Sequence, residues 1–360
     1  MIIPELPEYL TNLGGADYKG LIISLFTITA MLSRPFSGKL ADSIGRVPVM
    51  IFGAVVCLIC SSLYPVVTSL MPFFVLRFFH GFSTGFTPTG NTTYLADIVP
   101  VEKRGEAMGL LGTAGGIGMS GGPALGGMLS NQFGLTVMFY ASSALALISI
   151  LILIRMRETL ATRQRFSVAH LQVKRTDFFE PRVLAPCIVM VLSAFAYGAV
   201  LTLIPDFGQH VGVRNKGLLF TYLTVASLVV RLVAGKASDR FGREPVLIAS
   251  TSVIVVSMLV IGLATTKLQL MLGVVLYGFA QGSTSPTLLA WATDLSDNRF
   301  KGRGIASLYI FMELGIGLGA VISGWLYAND TNLFFPVFSV SSGLAAMAFF
   351  YLLSRRRLRA

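Results

Sequence analysis

Charged residues are scarce in this sequence of 360 residues. Asp, Glu, Lys and Arg make up 12% of the chain, against about 25% in a typical soluble domain. Apolar residues reach 54% and the mean hydropathy is +0.74. A soluble fold of this length needs far more charge to cover its surface. The composition therefore excludes a disordered chain, a small disulfide-rich domain and an ordinary soluble enzyme.

Residues that bind metals or cofactors are also scarce. There are three cysteines and three histidines, and Cys57 and Cys60 form a CxxC pair inside the apolar run VVCLICSSL. Zinc and redox pairs need polar loops around them, so we interpret this pair as packing residues of a buried helix. Gly116-x-Gly118-x-x-Gly121 matches a dinucleotide fingerprint only formally, because no strand precedes it. The sequence predicts no metal, no cofactor and no enzymatic activity.

Long apolar segments fill the chain instead. A bilayer core of about 30 Å needs about 20 mostly apolar residues per helix. Eleven segments meet this length, and a shorter apolar piece opens the chain at residues 1–10. The predicted spans are residues 20–40, 47–67, 71–95, 105–129, 135–156, 183–205, 216–238, 245–266, 269–293, 303–327 and 333–353. We therefore predict an all-α polytopic membrane protein with eleven full spans and an incomplete first helix.

The basic residues predict the orientation of these spans. When alternate loops are assigned to opposite sides of the membrane, one side receives 21 Lys and Arg residues and the other side receives four. Cytoplasmic loops carry such an excess, so the C-terminus is predicted to be cytoplasmic, in the cell (inner) membrane. The net charge of +11 then reflects topology. Nucleic-acid binding is not predicted, because no basic patch is interleaved with exposed aromatic residues.

The sequence repeats itself at an offset of 197 residues. The stretch GKLADSIGRVPVM (Gly38–Met50) recurs as GKASDRFGREPVL (Gly235–Leu247). We therefore predict two homologous helical halves, residues 1–156 and 183–360, joined by a cytoplasmic linker of residues 157–182. Two parallel six-helix halves with a substrate site at their interface are a recurrent plan of secondary transporters.

Three motifs resemble those of the major facilitator superfamily, and the resemblance covers the whole chain. The family's loop motif is matched by Gly38, Leu40, Ala41, Asp42, Gly45 and Arg46, and its second copy by Gly235, Asp239, Arg240, Gly242 and Arg243. The fourth-helix motif resembles Arg77–Gly81, with His80 in place of Gln. The fifth-helix motif is matched by Gly118, Gly122, Pro123, Gly126 and Gly127. The resemblance implies alternating access, and the fifth-helix motif goes with antiporters, chiefly drug/proton exporters.

The acids of the loop motif lie where helices reach the cytoplasm. An acid there can cap the positive N-terminus of a neighbouring helix, and each motif arginine can pair with either acid of its own half. The resemblance implies that such contacts hold the cytoplasmic side shut. The predicted gating residues are Gly38, Asp42, Arg46, Asp97, Gly235, Asp239, Arg243 and Asp294. The alternative is a static surface ion pair, worth about 0–1 kcal/mol.

The fifth-helix motif places small residues on one helix face. Gly118, Gly122 and Gly126 are spaced four residues apart, which lets a neighbouring backbone approach closely. Pro123 removes a backbone hydrogen bond and kinks the helix. We interpret the face as a bent interface that lets the halves rock, with tight packing alone as the alternative.

Ionisable residues within spans are costly and usually functional. Glu313 lies mid-span, where burial suits a carboxyl to carry a proton; a protonated helix–helix hydrogen bond is the alternative. Arg77 shares a helix face with other polar residues, or is neutralised by a fixed partner. The tenth helix offers a mixed polar and aromatic face, which suits an amphiphile or simply lines water. The predicted substrate and proton pathway comprises Arg77, His80, Asn91, Gln281, Trp291 and Glu313.

Together these features predict a secondary active transporter. We expect proton-coupled efflux of small amphipathic compounds by alternating access, in a monomer whose partners are its small-molecule substrate, protons and the lipid bilayer. The alternatives are proton-coupled uptake of a sugar or organic acid, and a non-transporting fragment.

The first helix is shorter than its repeat. In the second half 22 residues, Val183–Ile204, precede Pro205-Asp206, whereas three residues precede Pro4-Glu5 in the first half. Repeat symmetry predicts that about 19 residues of the first helix are absent, and that the natural start of the protein lies upstream of Met1.

Overall fold

The chain is α-helical throughout the part that its structure, a computed structural model, describes. These residues are 1–2, 5–15, 18–172, 177–213, 216–328 and 330–357, and they contain no strand. Pro4 of the predicted first-helix match and residues 173–176 of the predicted linker lie outside them. The helices are α1 (Leu6–Asn12), α2 (Lys19–Ser43), α3 (Arg46–Leu63), α4 (Leu70–Ile98), α5 (Arg104–Phe133), α6 (Leu135–Ile154), α7 (Leu184–His210), α8 (Lys216–Phe241), α9 (Arg243–Gly262), α10 (Lys267–Leu295), α11 (Lys301–Tyr327) and α12 (Phe334–Arg357).

Helices α2 to α12 coincide with the predicted apolar segments to within a few residues. Among the described residues, six helical segments are long and apolar enough to cross a membrane, and a seventh is added if the bent α8 counts as one span. The all-α prediction is confirmed, while the count of eleven full spans stays a prediction. The helices outside the set of six include α2, α4, α5 and α10, which carry the motif glycines and many hydroxyl side chains.

Two glycines explain how the loop motif reverses the chain. Gly45 precedes α3 and Gly242 precedes α9, with φ angles of +137° and +91°. These angles lie in the region that residues with a Cβ rarely adopt. Each glycine places the motif arginine, Arg46 or Arg243, at the first position of the new helix.

The chain packs as two compact units whose boundaries cut across α5 and α11. Unit 1 comprises Met1–Ile98, Ile117–Glu180 and Ser296–Tyr309, and unit 2 comprises Val99–Gly116, Pro181–Leu295 and Ile310–Ala360. The start of α11 thus packs in unit 1, and the start of α5 packs in unit 2. An aromatic cluster around Tyr64, Phe73 and Phe139 forms one core of unit 1. Phe207, Phe334 and Phe338 stack in the main core of unit 2.

The outer surface of α6 is apolar. Leu147, Ile148, Leu151, Ile152 and Ile154 are between 46% and 62% exposed. A contiguous exposed apolar face of this kind is unfavourable in water and matches contact with lipid. One side of α6 therefore packs on the rest of unit 1, and the other side is an exposed apolar surface.

Candidate functional site

Asp42 caps the start of α11. Its carboxylate accepts hydrogen bonds from the backbone N–H groups of Gly302 and Arg303, at 2.6 and 2.8 Å. These amides begin the helix and have no partner within it, and the helix dipole adds attraction for a negative charge. The predicted cap is therefore present, and its receiving helix is α11.

Asp97, at the end of α4, joins three groups of unit 1. It lies 2.9 Å from Nε of Arg46 and 3.0 Å from Nζ of Lys301, and accepts a hydrogen bond from Oγ1 of Thr159 at 2.8 Å. Arg46 lies 3.7 Å from Asp42 as well, so both predicted pairings of this arginine occur. Its side chain is only 2% exposed, which makes these ion pairs buried rather than superficial.

Unit 2 repeats the same construction. Asp239 accepts hydrogen bonds from the amides of Gly105 and Glu106 at the start of α5, at 2.8 and 2.9 Å. Asp294 lies 2.9 Å from both Arg243 and Arg104. Every member lies 197 residues from its counterpart in unit 1, and Arg104 stands where unit 1 has Lys301.

The motif glycines let the paired helices touch. A Cβ on Gly38 would lie 2.8 Å from the Ala306 methyl and 3.0 Å from the Gly302 carbonyl oxygen. A Cβ on Gly235 would lie 2.5 Å from the Gly105 carbonyl oxygen. The backbone contact is what brings each acid within hydrogen-bonding distance of its helix N-terminus.

The environment of Asp42 changes the ionisation of its carboxyl. Asp42 lies beyond the predicted span of residues 20–40, at the end of α2. Burial raises its pKa from 3.8 to about 7, against the opposing effects of Arg46 and the two capped amides. The cap in unit 1 is therefore built on an acid that can take up a proton near neutral pH.

Arg77 and His80 lie together in the interior of unit 1. The Arg77 guanidinium stacks 4.2 Å above the Phe26 ring, and its Nε donates to the Ile22 carbonyl at 2.7 Å. His80 Nδ1 lies 3.3 Å from the Tyr64 hydroxyl. Arg77 is 1% exposed, and no acid pairs with it among the residues that the structure describes. It is a buried cation held by an aromatic face and a carbonyl.

The other predicted pathway residues occupy different settings. Asn91 and Gln281 are half-buried. Trp291 is 3% exposed and lies under the Arg355 guanidinium, 5.6 Å from its ring centre. Glu313 is buried at 8% exposure in α11. The structure brings Arg77 and His80 together, places Trp291 beside a terminal arginine, and leaves the pathway assignment itself a prediction.

The fifth-helix motif is packed over only part of its length. A Cβ on Gly122 would lie 3.1 Å from the Met1 nitrogen, and Gly126 also abuts Met1. Gly127 lies close to Glu5, whereas a Cβ on Gly118 would meet no atom within 4 Å. Pro123 lies inside α5, which continues through it. The predicted close approach therefore occurs at Gly122 and Gly126 and not at Gly118.

Sequence reasoning missed a third acid beside Arg46 of the loop motif. The Glu158 carboxylate accepts hydrogen bonds from the amides of Arg46 and Val47 at the start of α3, both at 3.0 Å. Because Glu158 lies 112 residues from Arg46, no local spacing reveals the pair. The repeat carries a signal: 197 residues on, Arg355 stands in place of Glu158 and pairs with Glu244 in the first turn of α9.

The linker also fastens to the start of α11. Glu180 forms an ion pair with Arg303, and its backbone amide donates to Oγ of Ser307 at 3.0 Å. Lys39 pairs with Asp177 at 2.8 Å. The linker thus binds the helix ends that carry the Asp42 cap.

Comparison with known proteins identifies the family to which this architecture belongs. The profile of the Major Facilitator Superfamily matches residues 1–215 and 187–360. The chain belongs to the major facilitator superfamily. It is therefore a multi-pass membrane transporter of the kind that binds small molecules, and not an enzyme.

Relatives and solved structures agree with this family. The chain is 28% identical to the multidrug resistance protein MdtG of Salmonella typhi over 99% of this chain and 92% of that one. It is also 28% identical to MdtG of Enterobacter lignolyticus, over 91% and 82%. The human organic anion transporter MFSD10 has a TM-score of 0.80 at 20% identity, covering 97% and 89%. The proton:xylose symporter XylE has a TM-score of 0.81 at 15% identity, covering 98% and 91%.

Proposed function

We propose that this major facilitator transporter exports small amphipathic compounds in exchange for protons. The observation that carries the proposal is the complete fifth-helix motif, from Gly118 to Gly127, in a chain whose relatives over nearly its full length are named multidrug resistance proteins. Export places the protein in the cell (inner) membrane with its linker and C-terminus in the cytoplasm. Substrate and proton then cross in opposite directions.

The duplicated caps are the gate in this proposal. Asp42 holds the start of α11 and Asp239 holds the start of α5, and the charge count assigns the loops of both contacts to the cytoplasm. Opening toward the cytoplasm requires both caps to part. Because a cap consists of two hydrogen bonds to one carboxylate, worth roughly 0.5–2 kcal/mol, it can be broken and remade in each cycle.

Proton coupling is assigned to Glu313, and substrate binding to the face of Arg77. Glu313 is a buried carboxyl on α11, the helix that Asp42 caps at its start. Arg77 is a buried cation held by Phe26 rather than by an acid. Taking an unpaired charge out of water costs several kcal/mol, so stability does not explain Arg77, and a role in binding does.

A substrate panel in proteoliposomes tests the proposal. With an imposed pH gradient, dissolved amphipathic dyes should move against their own gradient while protons move with theirs. Glu313→Gln should abolish gradient-driven movement and keep substrate binding, whereas the exposed Glu102→Gln should behave as the unaltered protein. Movement of a sugar or organic acid in the same direction as protons would instead establish uptake. No substrate-dependent proton movement with any compound would contradict both.

A further inference from the structure

Each unit carries an arginine one helical turn before the first glycine of its loop motif. Arg34 lies on α2 before Gly38, and Arg231 lies on α8 before Gly235, 197 residues further along the chain. Both arginines fall within predicted spans, where a charged side chain is costly and is usually paired or functional. The surroundings of the two side chains differ.

Arg34 is enclosed by partners within unit 1. It is 1% exposed, and its guanidinium lies 4.3 Å from the centre of the Tyr309 ring. It also donates hydrogen bonds to Oγ1 of Thr89 at 3.1 Å and to the Gly85 carbonyl at 3.3 Å. An aromatic face and two acceptors therefore stabilise this cation inside the protein.

Unit 2 lacks two of these partners. At the offset of 197 residues, Gly112 stands in place of Tyr309 and Pro286 stands in place of Thr89. Glycine has no ring to stack on a guanidinium, and proline has no hydroxyl to accept a hydrogen bond from it. The guanidinium of Arg231 lies directly against Gly112, where a Cβ would collide with Nη1.

Arg231 therefore keeps most of its hydrogen-bonding capacity. Its Nε donates to Oγ of Ser227 at 3.2 Å, and its guanidinium has no other hydrogen bond or ion pair among the described residues. A guanidinium carries five N–H donors, so the N–H groups of Nη1 and Nη2 are left for another acceptor. Arg231 is half-buried, whereas its counterpart Arg34 is fully enclosed.

Two tyrosines accompany this guanidinium in unit 2. Tyr197 of α7 interacts electrostatically with Arg231 and with Tyr277 of α10. The Tyr277 hydroxyl is buried and has no hydrogen-bond partner in the part of the chain that the structure describes. A buried hydroxyl without a partner is rare in proteins, and an oxygen of a bound molecule would satisfy it.

We propose that Arg231, together with Tyr197 and Tyr277, binds the negatively charged group of an amphipathic substrate, a carboxylate or a sulfonate on an apolar body. Nη1 and Nη2 donate to two oxygens of the group, a geometry that suits guanidinium, and the phenol rings contact the apolar body. The negative charge offsets the cost of holding an unpaired cation away from water. This inference rests on the proposed export of amphipathic compounds and narrows them to anions.

Equilibrium binding of two matched probes tests the proposal. Naphthylacetate and naphthylethanol share an aromatic body and differ in charge, and their affinities are measured by calorimetry in a neutral detergent. The unaltered protein should bind naphthylacetate more tightly. Arg231→Gln should weaken the binding of naphthylacetate about tenfold or more and leave that of naphthylethanol unchanged. Lys103→Gln, which removes an exposed cation of unit 2, should bind both probes as the unaltered protein does.

Two results of these titrations would overturn the proposal. One is the absence of a preference for naphthylacetate in the unaltered protein. The other is a loss in Arg231→Gln that is equal for the two probes, because such a loss reflects the apolar contacts and not the charge.

Two conservative variants keep the proposal testable if Arg231→Gln folds poorly. Arg231→Lys keeps the charge and loses the paired N–H donors, and Tyr277→Phe removes only a hydroxyl that has no protein partner. Each should keep the thermal midpoint and weaken the binding of naphthylacetate several-fold. Unchanged affinity for naphthylacetate in both variants would overturn the proposal.

Added phosphatidylglycerol distinguishes a substrate from a lipid headgroup, because a phospholipid phosphate can accept the same hydrogen bonds. The lipid should leave the affinity of the unaltered protein for naphthylacetate unchanged. Displacement of naphthylacetate by phosphatidylglycerol would assign Arg231 to a lipid and overturn the proposal. The titrations need no pH gradient, so a failure of proton exchange in proteoliposomes would leave their result standing. A missing preference for the anion would in turn not contradict export of uncharged compounds.

Discussion

The two units build the same acid–helix contact and surround it differently. In both, an aspartate at the end of one helix caps the start of another, and a second aspartate joins two cations. In unit 1 the linker adds Glu158, Thr159 and Glu180 to this cluster. In unit 2 the position of Glu158 is taken by Arg355, which pairs with Glu244. The shared part comprises the residues of the proposed gate, and the unequal part indicates that the two caps have different strengths.

The largest expected effect comes from the second aspartate of each cluster. Asp97→Ala removes the acid nearest to Arg46, which is 2% exposed. After Asp294→Ala, Arg243, 10% exposed, still has Asp239 at 2.5 Å. Removing one partner of a buried pair costs about 3–5 kcal/mol. We expect a loss of this order for Asp97→Ala and a smaller loss for Asp294→Ala, measured as thermal midpoints in detergent. A larger loss of stability for Asp294→Ala would show that the cluster of unit 2 contributes more to stability than the cluster of unit 1.

Close packing at the motif glycines should produce the next effect. Gly235→Ala pushes a methyl against the Gly105 carbonyl, whereas Gly38→Ala meets first the Ala306 methyl. Overpacking of this kind costs about 1–3 kcal/mol, and the backbone contact should make Gly235→Ala the more costly. Gly343→Ala, on α12 with no atom near, is the matched control. If all three variants have the same thermal midpoint, close packing at Gly38 and Gly235 does not stabilise the helix pairs.

The caps themselves should have a smaller effect on stability and a clear one on transport. Asp42→Asn and Asp239→Asn each weaken a cap worth roughly 0.5–2 kcal/mol, so each should lower the transport rate while the protein stays folded. Because burial raises the pKa of Asp42 above its usual 3.8 to about 7, its contribution favours the folded state at low pH and is lost as the pH rises toward 7. Asp42→Asn should therefore flatten the dependence of the thermal midpoint on pH between 4 and 7. An unchanged slope in this variant would assign the pH dependence to other groups.

Glu158 should have the smallest effect. It caps α3 from the linker, and a carboxylate at a helix N-terminus is worth about 0.3–1 kcal/mol. Glu158→Gln should lower the thermal midpoint slightly. Combined with Asp42→Asn it should lower the midpoint by an amount that differs from the sum of the two single effects, because both act on one cluster. If the two changes in thermal midpoint are strictly additive, Glu158 of the linker is not energetically coupled to the Asp42 cap.

How much of the fold and of the candidate site can be predicted from the sequence depends on how far apart the interacting residues lie along the chain. The helices follow from hydropathy and from glycine and proline punctuation, and the pairing of Arg46 with Asp42 follows from a spacing of four residues. The receiver of the Asp42 cap, at Gly302, lies 260 residues away, where no local pattern reaches. The repeat reduces the number of helix starts that could receive the Asp42 cap, because Asp239 caps a helix in the same way. For Trp291, a polar and aromatic stripe predicts a place in the substrate pathway, which stays a prediction; its contact with Arg355, 64 residues away, is one that no local pattern shows.

Glu313 provides the most direct test of proton-coupled export, because its counterpart in the first half is Gly116 and the repeat offers no substitute. Proteoliposomes that hold a pH gradient and a pH-sensitive dye should lose the gradient when an amphipathic substrate is added, and only when the intact transporter is present. We predict that Glu313→Gln binds the same substrate and leaves the gradient standing. Substrate-driven proton movement in Glu313→Gln with the pH dependence of the unaltered protein would contradict the assignment of the coupled proton to Glu313.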